Sequence, residues 1–312
     1  MGANLQVNTA PHLYKKESVA QIMWFVILSL IPAGAAGVYI FGMPAFWVIL
    51  TCVITAVVTE ALVQVMMKKK VTICDGSAFM TGLLLAYNLP SSAPMWLVIA
   101  GSVFSIAIGK QIFGGLGQNI FNPALAGRAF LMASWPQHMT SFPNPFGIDA
   151  VTSPTPLTLL KEGKGIGAVS YLDLFLGNHG GCIGEVCILA LLAGALFLLI
   201  RGYIGIEIPF TYIATVALFT FIFSPQGFFK GDWLFHILSG GLILGAFFMA
   251  TDYVTSPLSR TGQIVFGIGC GILTAVIRLW GGYPEGASYA ILMMNAAVPV
   301  IDRYTKPRVY GK

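Results

Sequence analysis

The chain has 312 residues, 56% of them hydrophobic and 9% charged, with a formal net charge of +5. A soluble domain of this length carries about a quarter charged residues, so the composition excludes a water-soluble enzyme and points to an integral membrane protein. The basic residues are scattered through loops rather than gathered in a patch, which excludes nucleic-acid binding and reads as membrane topology.

Residues 1–17 form a polar tail without the apolar core and small-residue cleavage site of a secretory signal. The myristoylation pattern after Met1-Gly2 is broken, because Leu5-Gln6 stands where Ser or Thr is needed. A spanning helix needs about 20 apolar residues. Segments 18–41, 44–67 and 94–112 meet that length, while 76–88 and 119–134 are apolar but shorter. The short pair reach roughly 20–24 Å as helices, less than the ~30 Å hydrocarbon core. After the polar stretch 136–181 come 182–200, 204–224, 233–251, 262–280 and 285–301. The expectation is an all-α integral membrane protein of about ten transmembrane segments. Its divisions are a cytoplasmic tail (1–17), a five-helix unit (18–135), a long loop (136–181), a second five-helix unit (182–302) and a cytoplasmic tail (303–312).

Loop charge sets the orientation. With the N-terminus in the cytoplasm, twelve Lys and Arg residues fall inside, among them Lys68, Lys69, Lys70, Lys110 and Arg201. Only Lys161, Lys164 and Lys230 fall outside. Both termini are therefore expected in the cytoplasm of a multi-pass cell-membrane protein, with the 136–181 loop extracytoplasmic.

The two halves echo each other. Residues 77–86, "SAFMTGLLLA", parallel 239–249, "SGGLILGAFFM". Each is followed by a Ser/Pro turn, a Gly-bearing span, a Gly-Gly turn and a segment with a buried-looking Asn, Asn122 or Asn295. Five segments per half force opposite orientations, the inverted-repeat plan of many transport proteins. Short helices that end near the midplane belong to the same plan, which resembles urea- and ammonium-channel architecture.

Ionisable groups at membrane depth are costly and mark candidate ion paths. Glu60 lies inside the second segment and either serves such a path or snorkels toward the inner face. Asp75 reads as a path residue or as an N-cap. Asp252 and Asp302, near inner ends, complete the ion-path candidates, while Glu185 starts an outer helix. Arg128 sits on a short helix, where it pairs with an acid or holds an anionic group. Cys52, Cys74, Cys182, Cys187 and Cys270 form no C-x-x-C and have no His cluster beside them, so no metal site is assigned. "GGLGQN" lies between membrane helices rather than after a strand, so it is not a dinucleotide loop.

"KQIFGGLGQNIFNPALAGRAFL" (110–131), "DAVTSPTPL" (149–157), "ATDYVTSPLSRTGQ" (250–263) and "YPEGASYAILMMNAAVPVIDR" (283–303) are long, specific signatures of a resemblance that covers nearly the whole chain. Together they resemble the D-subunit family of the Rnf complex, which is homologous to the B subunits of the Na+-translocating NADH:quinone reductase. The resemblance implies FMN attached to an extracytoplasmic threonine through a phosphoester bond, installed by a Mg2+-dependent flavin transferase with FAD as donor. Aligned on the family's acceptor pattern, the modified residue is Thr155, with Thr152 the runner-up. Asp149, Thr152 and Ser153 become recognition residues, although Ser153-Pro154 replaces the usual Gly-Ala. Such a loop is expected to be exposed, because the threonine must enter another enzyme's site.

The resemblance further implies a second, noncovalent flavin (riboflavin or FMN) and electron relay within a translocase that couples ferredoxin:NAD+ oxidoreduction to Na+ or H+ transport. Implied partners are an extracytoplasmic subunit with its own covalent FMN, two small cluster-bearing membrane subunits, and cytoplasmic iron–sulfur and flavin subunits. Stand-alone turnover is not expected. The alternatives are a solute channel or secondary transporter without flavin, and a flavin-free scaffold for redox subunits.

Overall fold

The computed structural model describes residues 18–146, 154–162, 170–224 and 227–306. Ser18 caps helix α1 (Val19–Phe41) by accepting the Gln21 N–H. Gly42, at φ 73°, reverses the chain into α2 (Met43–Met66), which carries Pro44 in its first turn. These two helices and α13 (Arg260–Trp280) are each long and apolar enough to cross a membrane. Their outer faces carry exposed Leu28, Ile31, Leu62 and Met66, as expected of surface that meets lipid rather than water.

The shorter segments are true short helices. α3 (Ser77–Tyr87) is buried along most of its length, which explains why it is apolar on every side. α4 (Met95–Ile106) continues as a π turn through Ala107–Gln111. Asn122 caps α5 (Pro123–Ser134), its Oδ1 accepting the Ala124 and Leu125 N–H groups. Three small helices follow: α6 (Pro136–Met139), α7 (Pro156–Lys161) and α8 (Tyr171–Leu176).

In the second half α9 (Ile188–Arg201) packs along α1, and α10 (Glu207–Ile222) packs along α13. A Cβ on Gly194 of α9 would lie 2.1 Å from the Ser29 carbonyl of α1, so the two backbones touch as only glycine permits. A hairpin of β1 (Phe223–Ser224) and β2 (Gly227–Phe228) leads to α11 (Trp233–Leu238). Then come α12 (Leu242–Leu244), its π extension Gly245–Met249, α13, and α14 (Ala287–Tyr304).

Three segment expectations are corrected. The 233–251 span is not one helix: it breaks at Ser239–Gly241, with Gly240 at φ 70°. The break persists because the Arg278 guanidinium donates to the His236 and Ser239 carbonyls that a continuous helix would have used. The 182–200 span begins only at Ile188; residues 182–187 are a loop whose Ile183 and Gly184 N–H groups donate to the Leu89 and Tyr87 carbonyls, both at 3.0 Å. This loop thereby satisfies carbonyls that the end of α3 leaves open. Lys110 is no loop charge either, being 2% exposed within the π turn.

Hydrogen bonds gather the connections into two groups, one toward each end of α1. Cys74 meets Trp24, Lys69 meets Gly114, Tyr253 meets Tyr203, and Asp302 meets Leu258 on one face. On the other, Phe146 meets Ile40, Ser92 meets Ser141, Lys161 meets Gly281, and Tyr171 meets Asp232.

Candidate functional site

On the face that carries α7 lies a cavity of about 400 Å³, within the usual range for organic cofactors. α5 gives it Arg128 and Met132, α6 gives Met139, α7 and its N-cap give Thr158 and Thr155, the turn into α14 gives Tyr283 and Glu285, and α14 itself gives Tyr289. Tyr283 and Tyr289 stack with ring centroids 5.2 Å apart. The lining thus combines aromatic rings and thioethers with the threonine side chains and the Arg128–Glu285 ion pair.

Thr155 is the N-cap of α7, its Oγ1 accepting the Thr158 N–H at 3.3 Å and lying 2.8 Å from the Thr158 Oγ1. It is only 5% exposed. The expectation had an exposed loop; Thr155 itself is covered, while residues 147–153 before it lie outside the described residues. The cause is docking: Leu157 packs with Leu174 and Phe235, and Lys161 Nζ donates to the Gly281 and Tyr283 carbonyls. Burial pushes the Lys161 pKa below the usual lysine range. Asp149, Thr152 and Ser153 lie outside the described residues.

Behind the cavity is a buried charge cluster. Arg128 donates to Asn88 Oδ1 at 2.6 Å, to Glu285, and weakly to the Cys182 Sγ at 3.8 Å. Glu185 Oε1 accepts the Cys182 N–H at 2.9 Å, while its Oε2 is buried without a hydrogen-bond partner. Arg278 Nε donates to the Glu285 carbonyl at 3.0 Å. The Cys182, Glu185 and Glu285 ligand atoms lie within 4.8 Å of one another. Arg128 already supplies a cation there, which opposes a metal ion in the same place. The sequence had offered Arg128 an acid partner; Glu285 fills that role. Neither Glu285 nor the tyrosine stack was singled out, because the turn "GGYPEG" is brought to α5 only by tertiary packing.

The ion-path candidates divide. Glu60 does not snorkel: it is 1% exposed and pairs with Lys110 Nζ at 2.7 Å. Gln111 and Gln64 also donate to Glu60, and Lys110 donates to Ser77 Oγ at 2.6 Å. Snorkelling fails because the cation is delivered by α4 from within, so the carboxylate is satisfied in place. Asp75 accepts the Ser77 N–H and hydroxyl from one position before the N-cap, which is Gly76, so it braces the start of α3 without being its N-cap. Asp302 accepts the Leu258 N–H at 3.2 Å. Asp252 accepts from Val254 N–H and the Thr255 hydroxyl and borders two cavities of about 30 Å³ each. Lys110 was missed as a site residue; its one sequence signal was a lysine inside an apolar run, "SIAIGKQIF".

The sequence model of the NQR2, RnfD, RnfE family matches residues 6–311. The chain is 53% identical over 310 residues to the D subunit of the Na+-translocating ferredoxin:NAD+ oxidoreductase complex of Acetobacterium woodii, covering 99% of this chain and 96% of that one. It is 49% identical over 316 residues to the D subunit of the proton-translocating ferredoxin:NAD+ oxidoreductase complex of Clostridium ljungdahlii, covering 98% and 96%. It is 40% identical over 332 residues to the D subunit of the ion-translocating oxidoreductase complex of Stutzerimonas stutzeri, covering 95% and 93%.

Proposed function

Because this chain belongs to the NQR2, RnfD, RnfE family, we propose that it is the D-type membrane subunit of an ion-translocating ferredoxin:NAD+ oxidoreductase complex and carries FMN on Thr155. The carrying observation is that Thr155 lines a cavity of about 400 Å³ together with the stacked Tyr283 and Tyr289 and the Arg128–Glu285 ion pair. These residues fit a flavin: the tyrosines and methionines accept a flat aromatic ring, and Arg128 favours its negative charge. When bound, the flavin supplies one-electron relay between neighbouring redox subunits. This chain's residues anchor it at Thr155, wall it off from water, and set the charge around it.

Attachment forms a phosphoester at the Thr155 oxygen and breaks the pyrophosphate of FAD, releasing AMP, with a separate flavin transferase as catalyst. Because Thr155 is buried when α7 is docked, the transferase needs α7 undocked. Asp149, Thr152 and Ser153 serve its recognition.

The reading includes ten membrane passes in two inverted five-helix units, both termini cytoplasmic and α7 extracytoplasmic. Its support is the alternation of connections between two faces and the packing of α1 on α9, which start from opposite faces. Asp252 is the favoured ion-path residue. The cavities it borders suit an ion or a water and not a flavin, so the second, noncovalent flavin belongs elsewhere. The Na+ and proton in the names of relatives 53% and 49% identical leave both coupling ions within the reading. Partners are the extracytoplasmic flavin subunit, the small cluster-bearing membrane subunits, and the cytoplasmic iron–sulfur and flavin subunits.

The test is in-gel flavin fluorescence of the denatured chain, co-expressed with a flavin transferase, wild type beside Thr155→Ala. A fluorescent wild type and a dark variant are expected. A dark wild type, with the transferase active on another target, overturns the flavin reading in favour of a flavin-free channel or scaffold. A fluorescent Thr155→Ala moves the anchor, first to Thr152.

A further inference from the structure

The charge cluster behind the cavity contains an unpartnered acceptor that the flavin-anchor reading leaves unused. Arg128 and Glu285 line the cavity and pair with each other. Glu185, one layer deeper and 5% exposed, keeps one carboxylate oxygen with no donor. A buried, half-satisfied carboxylate costs free energy, and a proton on its free oxygen relieves part of that cost. The charged and titratable groups around it are Arg128 from α5, Arg278 from α13, Glu285 from the 281–286 turn, and Cys182 and His179 from its own loop. With both arginines and both glutamates ionised, their charges sum to zero. One electron added to the cavity's occupant breaks that balance at a place screened from water.

We propose that Glu185 is a proton acceptor coupled to electron uptake in the Thr155 cavity: its unpartnered Oε2 takes one proton when the group held there takes one electron. The inference rests on the flavin reading above. The electron comes from a reduced iron–sulfur carrier of a neighbouring subunit. The proton comes from the aqueous phase on the α7 side and forms the Oε2–H bond. The buried charge before and after is then the same. Arg128 is a positioning residue in this scheme, since it holds Glu285 and Asn88 and leaves Glu185 the free base.

The experiment uses the full chain carrying its covalent flavin, with the Thr155→Ala spectrum subtracted so that only the anchored group is read. A Thr155-dependent flavin signal must be present first; its absence defeats the flavin reading and not this one alone. Given the signal, the midpoint potential is titrated between pH 6 and 8. In the wild type it is expected to fall by about 59 mV for each tenfold drop in proton activity. Redox-difference infrared spectra are expected to show a protonated-carboxyl carbonyl band appearing on reduction. In Glu185→Gln the band is lost and the slope flattens; Glu185→Asp retains both. A flat wild-type slope, or a wild-type carboxyl band that survives in Glu185→Gln, overturns the proposal. Should Glu185→Gln not assemble, the wild-type slope and the wild-type and Glu185→Asp spectra decide: a flat slope, or no carboxyl band in either spectrum, overturns it.

Discussion

Glu60 and Lys110 illustrate what one residue decides in this protein. Each is almost fully enclosed, and each is satisfied by the other and by Gln111, Gln64 or Ser77. Removing one partner strands the other charge, which costs about 3–5 kcal/mol, whereas replacing both with apolar residues is often neutral. Glu60→Ala is therefore expected to lower the thermal unfolding midpoint in detergent and the yield of folded chain. The Glu60→Leu, Lys110→Met double variant is expected to recover most of both. A Glu60→Ala chain as stable as wild type would show that the pair is not desolvated. The sequence displayed Glu60 as an anomaly in an apolar helix. It did not display the partner, because the two are 50 positions apart and meet only when α2 and α4 pack.

Helix α7 makes the same point at the scale of an element. Six residues are too few to hold a helix in water. It is held by the Thr155 cap, by Leu157 in its apolar cluster and by the Lys161 strap to Gly281 and Tyr283. Loosening those holds frees Thr155. Lys161→Ala is expected to accelerate flavin attachment to the purified apo-chain several-fold and to speed protease cleavage near residue 160, without changing the acceptor. An unchanged attachment rate would mean that the transferase reaches Thr155 with α7 docked. The polar, proline-rich composition of the stretch announced a loop, and half of its described residues lie outside helices. The docking was not legible, since Leu157, Leu174 and Phe235 come from three separate elements.

For the whole molecule, the two-face arrangement sets a directional test. Cys74 is exposed on the face opposite α7, and Leu172 of α8 is 70% exposed on the α7 face. In intact cells a membrane-impermeant maleimide is expected to spare Cys74 and to label Leu172→Cys in a Cys74→Ser background. Labelling of both from one side would overturn the alternating passes. Sequence by itself determined the membrane class, the long helices α1, α2 and α13, the short α3 and α5, and the family, because these depend on runs of apolar residues and on contiguous signatures. Only the tertiary structure decided that 233–251 is broken, that Lys110 is a buried counter-charge, that Thr155 is covered, and that Arg128 meets Glu285. Each of these depends on a polar group finding its partner from a distant segment. In an apolar interior such a partner is obligatory, but hydropathy and spacing carry no record of which one it will be.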